Sequence, residues 1–138
     1  MVDKGLQEAM AVARASYQRA AEVPDFFPGF YRRLFEVRPD TEPLFAQTEF
    51  ERQHKLLRHA IGLLLTFPEQ PDGEPTILSR IAERHSRRDL GIEPSLYRPF
   101  LESLLDTIKR CDPQFTPAVE HAWRTTLAKG LAYMQSRY

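Results

Sequence analysis

The stretch Phe50-Glu51-Arg52-Gln53-His54-Lys55-Leu56-Leu57-Arg58-His59-Ala60-Ile61-Gly62-Leu63-Leu64 carries the period that decides the fold. Phe50, Gln53, Leu57, Ile61 and Leu64 recur at three- and four-residue spacing, which sets them on one face of a helix. The same spacing returns on the C-terminal side. Ile77, Ile81 and His85 form one row with Leu78 and Ala82 beside it. Tyr97, Leu101, Leu104, Leu105 and Ile108 line another, and Trp123, Leu127, Leu131 and Met134 a third. No segment shows sustained period-two alternation, and six glycines leave few hairpin turns.

Prolines mark the breaks. The eleven fall at 24/28, 39/43, 68/71/75, 94/99 and 113/117. A proline inside a helix loses a hydrogen bond and clashes with the preceding turn, so the clusters separate six proline-free segments, 1–23, 29–38, 44–67, 76–93, 100–112 and 118–138. Asp25 and Thr76 stand near helix starts, where a short polar side chain accepts orphan backbone N–H groups. Pro28 and Pro75 are close enough to those starts to be tolerated in a first turn. Thr116 followed by Pro117 reads as a cap and first helical residue, and Gly91 suits a left-handed cap after the fourth helix. The prediction is an all-α chain of six or seven helices.

Length and charge narrow the function classes. A chain of 138 residues fits one domain, expected over 1–138. Nineteen basic and nineteen acidic residues cancel, which argues against a nucleic-acid partner, since phosphate binding needs a basic surplus. The longest apolar run, Ile61–Phe67, is far short of the roughly 20 residues that span a bilayer, so no membrane partner is expected. The start, Met-Val-Asp-Lys, lacks the apolar core of a signal peptide, and the single cysteine, Cys111, has no intrachain partner for a disulfide. A cytoplasmic, reducing setting is the expectation.

Most chemical motifs are missing. There is no glycine-rich phosphate loop, no cysteine cluster and no G-x-S-x-G, and His54 and His59, five apart, do not share a helix face. One residue is out of place. His85 continues an apolar row while Arg80, Arg84, Arg87 and Arg88 occupy the polar positions around it. Taken alone it reads either as a half-buried histidine bonded to a backbone carbonyl or as a ligand. Tyr31 and Gln53 add to the second reading, because a hydroxyl and an amide that both face a core need a polar occupant. His54 competes with Gln53 by a one-residue shift of register, and Phe50, Leu57 and Ile61 favour Gln53.

These pieces occur in a specific order: Phe30-Tyr31-Arg32-Arg33-Leu34-Phe35, then Pro39 to Leu44-Phe45, then Gln53 with Leu57, then Ile81-Ala82-Glu83-Arg84-His85. Leu90-Gly91-Ile92-Glu93-Pro94, Tyr97 and Ala122-Trp123 follow. From about Tyr17 to Tyr138 the chain resembles the globins, and specifically the bacterial single-domain globins and the globin domain of flavohemoglobins. The resemblance implies a globin fold of six to seven helices sandwiching heme b (iron protoporphyrin IX). By the same resemblance His85 is the proximal iron ligand, Tyr31 and Gln53 stabilise the gas ligand, and Leu57 packs beside them. Phe45 wedges against the porphyrin, Tyr97 is the proximal tyrosine, and Arg84, Arg87 or Arg88 pairs with a propionate.

The implied ligands are O₂, NO and CO, with an oxygen-carrier or NO-scavenging role in a monomer or homodimer. Donors from Tyr31 and Gln53 favour O₂, which carries partial negative charge when bound, over CO. Two other functions remain open. One is NO dioxygenation with an external flavoprotein reductase, since a globin domain consumes the 138 residues. The other is a gas-sensing module acting through a partner, with the Trp123–Met134 face as a dimer surface. The chain departs from the branch in having no acid after Pro117 except Glu120, where a late carboxylate usually supports the proximal histidine. The stretches Ser86–Leu90 and Thr66–Glu74 are further departures, expected to alter the pocket edges.

Overall fold

The computed structural model describes residues 3–69, 77–86 and 93–137. Six α-helices follow one another: α1 Lys4–Ala21, α2 Phe26–Val37, α3 Phe50–Thr66, α4 Ile77–His85, α5 Tyr97–Cys111 and α6 Pro117–Ser136. Short 3₁₀ helices at Pro39–Phe45, Phe67–Glu69 and Pro94–Leu96 join them. Each α-helix grows from one proline-free segment. The prolines inside the α-helices sit where no intrahelical N–H is needed: Pro117 is the first residue of α6, and Pro28 and Pro99 are the third of α2 and α5.

Side-chain caps define three starts. Asp3 accepts from the Leu6 N–H at 2.7 Å, Glu49 from those of Glu51 and Arg52 at 3.1 and 2.9 Å, and Thr116 from that of Val119 at 3.2 Å. Asp25 precedes α2 as expected but does not cap it. Its carboxylate is taken by the two terminal guanidinium nitrogens of Arg32, two turns on, because a charged bidentate partner wins over a neutral amide. Arg110 of α5 approaches the same carboxylate at 3.8 Å, lying over Gly29, where a Cβ would collide with its guanidinium. The cap expected of Thr76, the proline expected to open α4 (Pro75) and the glycine expected to close it (Gly91) lie outside the described residues.

The interior is built where α1 packs along α6, α2 crosses α5, and α3 and α4 lean on α6. Phe26, Phe30, Ile61, Leu104, Ile108, Trp123 and Leu127 are wholly buried there. Leu131 and Met134 are buried too, so the α6 face from Trp123 to Met134 is spent inside the chain. That corrects the expectation of a dimer surface on this face: its apolar area is already removed from water by the chain's own helices.

One polar chain crosses this core. The Trp123 indole N–H donates to Ser16 Oγ at 2.9 Å, and the Ser16 hydroxyl donates to Asp112 at 2.6 Å. Arg19 grips the same carboxylate at 2.7 and 3.0 Å, and the Gln114 N–H adds a bond at 2.9 Å. Burial pushes the Asp112 carboxyl up, but the bonds from Arg19, Ser16 and Gln114 outweigh it and hold it below the usual range. Two buried hydroxyls, Ser103 Oγ and Thr126 Oγ1, have no hydrogen-bond partner among the described residues. No helix among the described residues is long and apolar enough to cross a membrane.

Candidate functional site

Tyr31 lies at the middle of α2, only 5% exposed, inside a shell of rings. Phe30 meets it edge-on at 5.0 Å between centroids, Phe45 at 5.3 Å and Phe50 at 5.5 Å, with Phe35 tilted at 6.2 Å. Helical spacing supplies Phe35 from the next turn of α2. Phe45 arrives from the 3₁₀ segment Pro39–Phe45, and Phe50 is the first residue of α3. The Glu49 cap fixes where α3 begins and so which of its residues reach Tyr31.

Gln53 reaches it first. Its Nε2 donates to the Tyr31 hydroxyl at 3.0 Å. Leu57, one turn further on the same face, is buried. A phenol has one proton to give, and among the described residues none accepts it. Burial pushes the Tyr31 pKa up to about 12, against a small opposing pull from the Gln53 bond. The hydroxyl therefore stays protonated and remains a donor across the physiological range. The site so formed is an apolar ring shell with a single oriented O–H.

His54 does not compete for that position. Its ring stacks on the face of Tyr31 at 5.7 Å and on Phe27 at 6.3 Å, beside the amide bond rather than in place of it. The sequence pattern set His54 against Gln53 and placed Phe50 on the buried row of α3, but gave Phe27 no role. The spacing held a signal for it: Phe27 is four residues before Tyr31, on the same side of α2.

His85 is the last residue of α4, half-buried, with Nδ1 at 2.7 Å from the Ile81 carbonyl one turn earlier. A carbonyl only accepts, so Nδ1 carries a proton, and in the neutral ring the lone pair is on Nε2, the nitrogen able to coordinate a metal. This local bond comes from the same i, i+4 spacing that placed His85 in the Ile77–Ile81 row. Arg84 beside it is exposed, while Arg87 and Arg88 lie outside the described residues, as do most of 66–74 and 86–90. Tyr97, the first residue of α5, is buried, and burial pushes its pKa up to about 12. Among the described residues none hydrogen-bonds its hydroxyl. In the last turn of α6 the Gln135 amide Nε2 donates to the Pro94 carbonyl at 3.3 Å.

The globin family model matches residues 28–134, and the chain belongs to the globin family. It is 31% identical to a flavohemoprotein of Rhizobium meliloti over an alignment of 113 residues, a match that covers 78% of this chain and 28% of that protein. The chain thus spans less than a third of that relative. A crystal structure from Pseudomonas aeruginosa, of a protein described as structurally highly homologous to a human hemoglobin, superposes with a TM-score of 0.87 at 30% identity. That match covers 94% of this chain and 98% of the other.

Proposed function

We propose that residues 1–138 form a single globin domain that binds heme b and, through it, O₂ and other diatomic gases such as NO and CO. When bound, the heme would supply an iron that takes up diatomic gases. The residues present fit that group. His85 offers Nε2 with its tautomer set by the Ile81 carbonyl, and among the described residues no three His, Cys, Asp or Glu side chains converge to hold a bare metal instead. In this reading Phe45 and Leu57 would supply apolar contact for the porphyrin and Arg84 a cation for a propionate, a pairing worth at most about 1 kcal/mol. Tyr97 lends the proximal side a ring and no charge.

The observation that carries the reading is the Tyr31–Gln53 pair. Gln53 donates into the phenol oxygen, which turns the phenol proton outward to an acceptor that the described protein does not provide. A diatomic ligand with partial negative charge is such an acceptor, and the hydrogen bond discriminates O₂ from CO. Reversible O₂ binding, as carrier or scavenger in a cytoplasmic setting that the unpaired Cys111 suits, is the function favoured.

NO dioxygenation with a separate flavoprotein reductase is the second reading, supported by the likeness to a flavohemoprotein. The proximal side speaks for the first: Tyr97 has no acid on its hydroxyl among the described residues, and Gln135 is engaged by a carbonyl. Hemin titration tests the reading. The wild type should develop the intense heme band with one equivalent, and His85→Ala should not hold it in the five-coordinate form. A wild type that takes up no hemin sinks the proposal. Turnover of NO to nitrate with an added reductase, beyond one equivalent, would select the second reading over the first.

A further inference from the structure

Two neighbouring residues of α3 touch one phenol. Successive helix positions point about 100° apart, so they share a target only when it lies along the helix surface between them. Gln53 holds Tyr31 at its hydroxyl, 3.0 Å away, and His54 lies on its ring face with the planes 27° apart. The same imidazole stacks on Phe27, one turn earlier on α2, with planes 28° apart. Phe50 is tilted against it at 6.0 Å. One turn further along α3, the Arg58 guanidinium sits 4.8 Å over the Phe27 ring. The row His54–Arg58 is thus laid on the row Phe27–Tyr31, each with four-residue spacing, as when the ridges of two helices interlock.

We propose that His54 is a positioning residue for the gas-binding site: its stacked ring sets the angle of the Tyr31 phenol so that Gln53 can bond the hydroxyl and the phenol proton faces the ligand. This rests on the heme–gas reading above. A phenol ring is free to rock about its χ2 axis unless both faces are held. Phe30, Phe45 and Phe50 meet Tyr31 at steep interplanar angles of 80°, 63° and 73°, and among the described residues His54 makes its most nearly parallel ring contact. Charge plays no part in the role; a flat aromatic ring does.

The experiment uses the heme-loaded protein with His54→Ala, His54→Leu and His54→Phe. Three quantities are read: the O₂ dissociation rate, the C–O stretching band of the CO form, and the NMR shift of the Gln53 side-chain amide protons. His54→Ala and His54→Leu should speed O₂ release about three- to tenfold, the range that loss of an aromatic pair spans. They should also shift the C–O band toward its frequency in Tyr31→Phe and move the Gln53 resonance. His54→Phe should restore all three to near wild type. The leucine variant serves if the alanine variant fails to fold. Unchanged rates and bands in the Leu variant overturn the proposal, as does a Phe variant that behaves like Leu, which would assign the effect to an imidazole N–H. A wild type that binds no heme fails the parent reading instead, and the Gln53 resonance, readable without heme, still decides whether His54 orders the pair.

Discussion

Two buried polar clusters among the described residues are built to opposite rules. Where α1, α5 and α6 meet, Asp112 collects bonds from Ser16, Arg19 and Gln114, and Ser16 also accepts from Trp123. There the Trp123 indole, the Ser16 hydroxyl and the Gln114 amide each have an acceptor. Between α2 and α3, Tyr31 accepts from Gln53 and keeps a proton that the described protein does not use. A saturated network ties distant helices together and has nothing left for a ligand. An unsaturated donor in an apolar shell contributes little to folding and is held ready for a guest. Burial alone therefore does not mark a functional polar group; the unassigned proton does.

The contrast is sharpest in paired substitutions. Asp112→Ala should destabilise the protein by about 2–4 kcal/mol, since it strands Ser16, the Gln114 N–H and the partly buried Arg19 together. Gas release should hardly change. A urea titration showing a loss under about 0.5 kcal/mol would remove the network from the fold's supports. The same carboxylate gives an acid signature. Its folded pKa is lowered, so its contribution is complete above the unfolded value of 3.8 and is lost as pH falls through the folded one. The melting temperature of Asp112→Asn should accordingly vary less than that of wild type in this acid range.

Tyr31→Phe should do the reverse. O₂ release should quicken about ten- to a hundredfold, the weight of a hydrogen bond to a charge-bearing acceptor, while stability shifts by no more than about 1 kcal/mol. Equal O₂ rates in stopped flow would mean that the phenol does not face the ligand. Alkaline titration gives a smaller effect. Burial pushes Tyr17, Tyr31 and Tyr97 up to about 12, so their phenolates should appear only near that pH or on unfolding. Stability tied to these raised values is present below pH 10 and lost as pH climbs through 12. A phenolate count that reaches five by pH 11 would contradict their burial. The smallest effect is expected at Thr126, whose buried hydroxyl has no partner among the described residues. Thr126→Val keeps the shape and should be neutral or stabilise by about 1 kcal/mol in the same urea titration.

Much of the fold was legible because helices announce themselves locally. The row Phe50, Gln53, Leu57, Ile61, Leu64 became α3, and Thr116-Pro117 opened α6, since an N-cap and a first-turn proline act within three residues. The failure at Asp25 has the same root. A capping bond is local, but Arg32 sits close enough after folding to take the carboxylate away. The Trp123–Met134 face was legible as apolar and illegible as to what covers it.

The residue types of the candidate site, His85, Tyr31, Gln53, Phe45, Leu57 and Tyr97, and the helices that carry them, belong to the sequence alone, because period, caps and prolines act over a few residues. Even the tautomer of His85 is set one turn away, by Ile81. Which of Gln53 and His54 bonds the phenol and which stacks on it was decided only by the packing of α3 on α2, across 22 residues of chain. The Trp123–Ser16 bond, 107 residues apart, is the extreme case. Side-chain hydrogen bonds form over about 3 Å, and only folding brings groups that far apart in sequence within that reach.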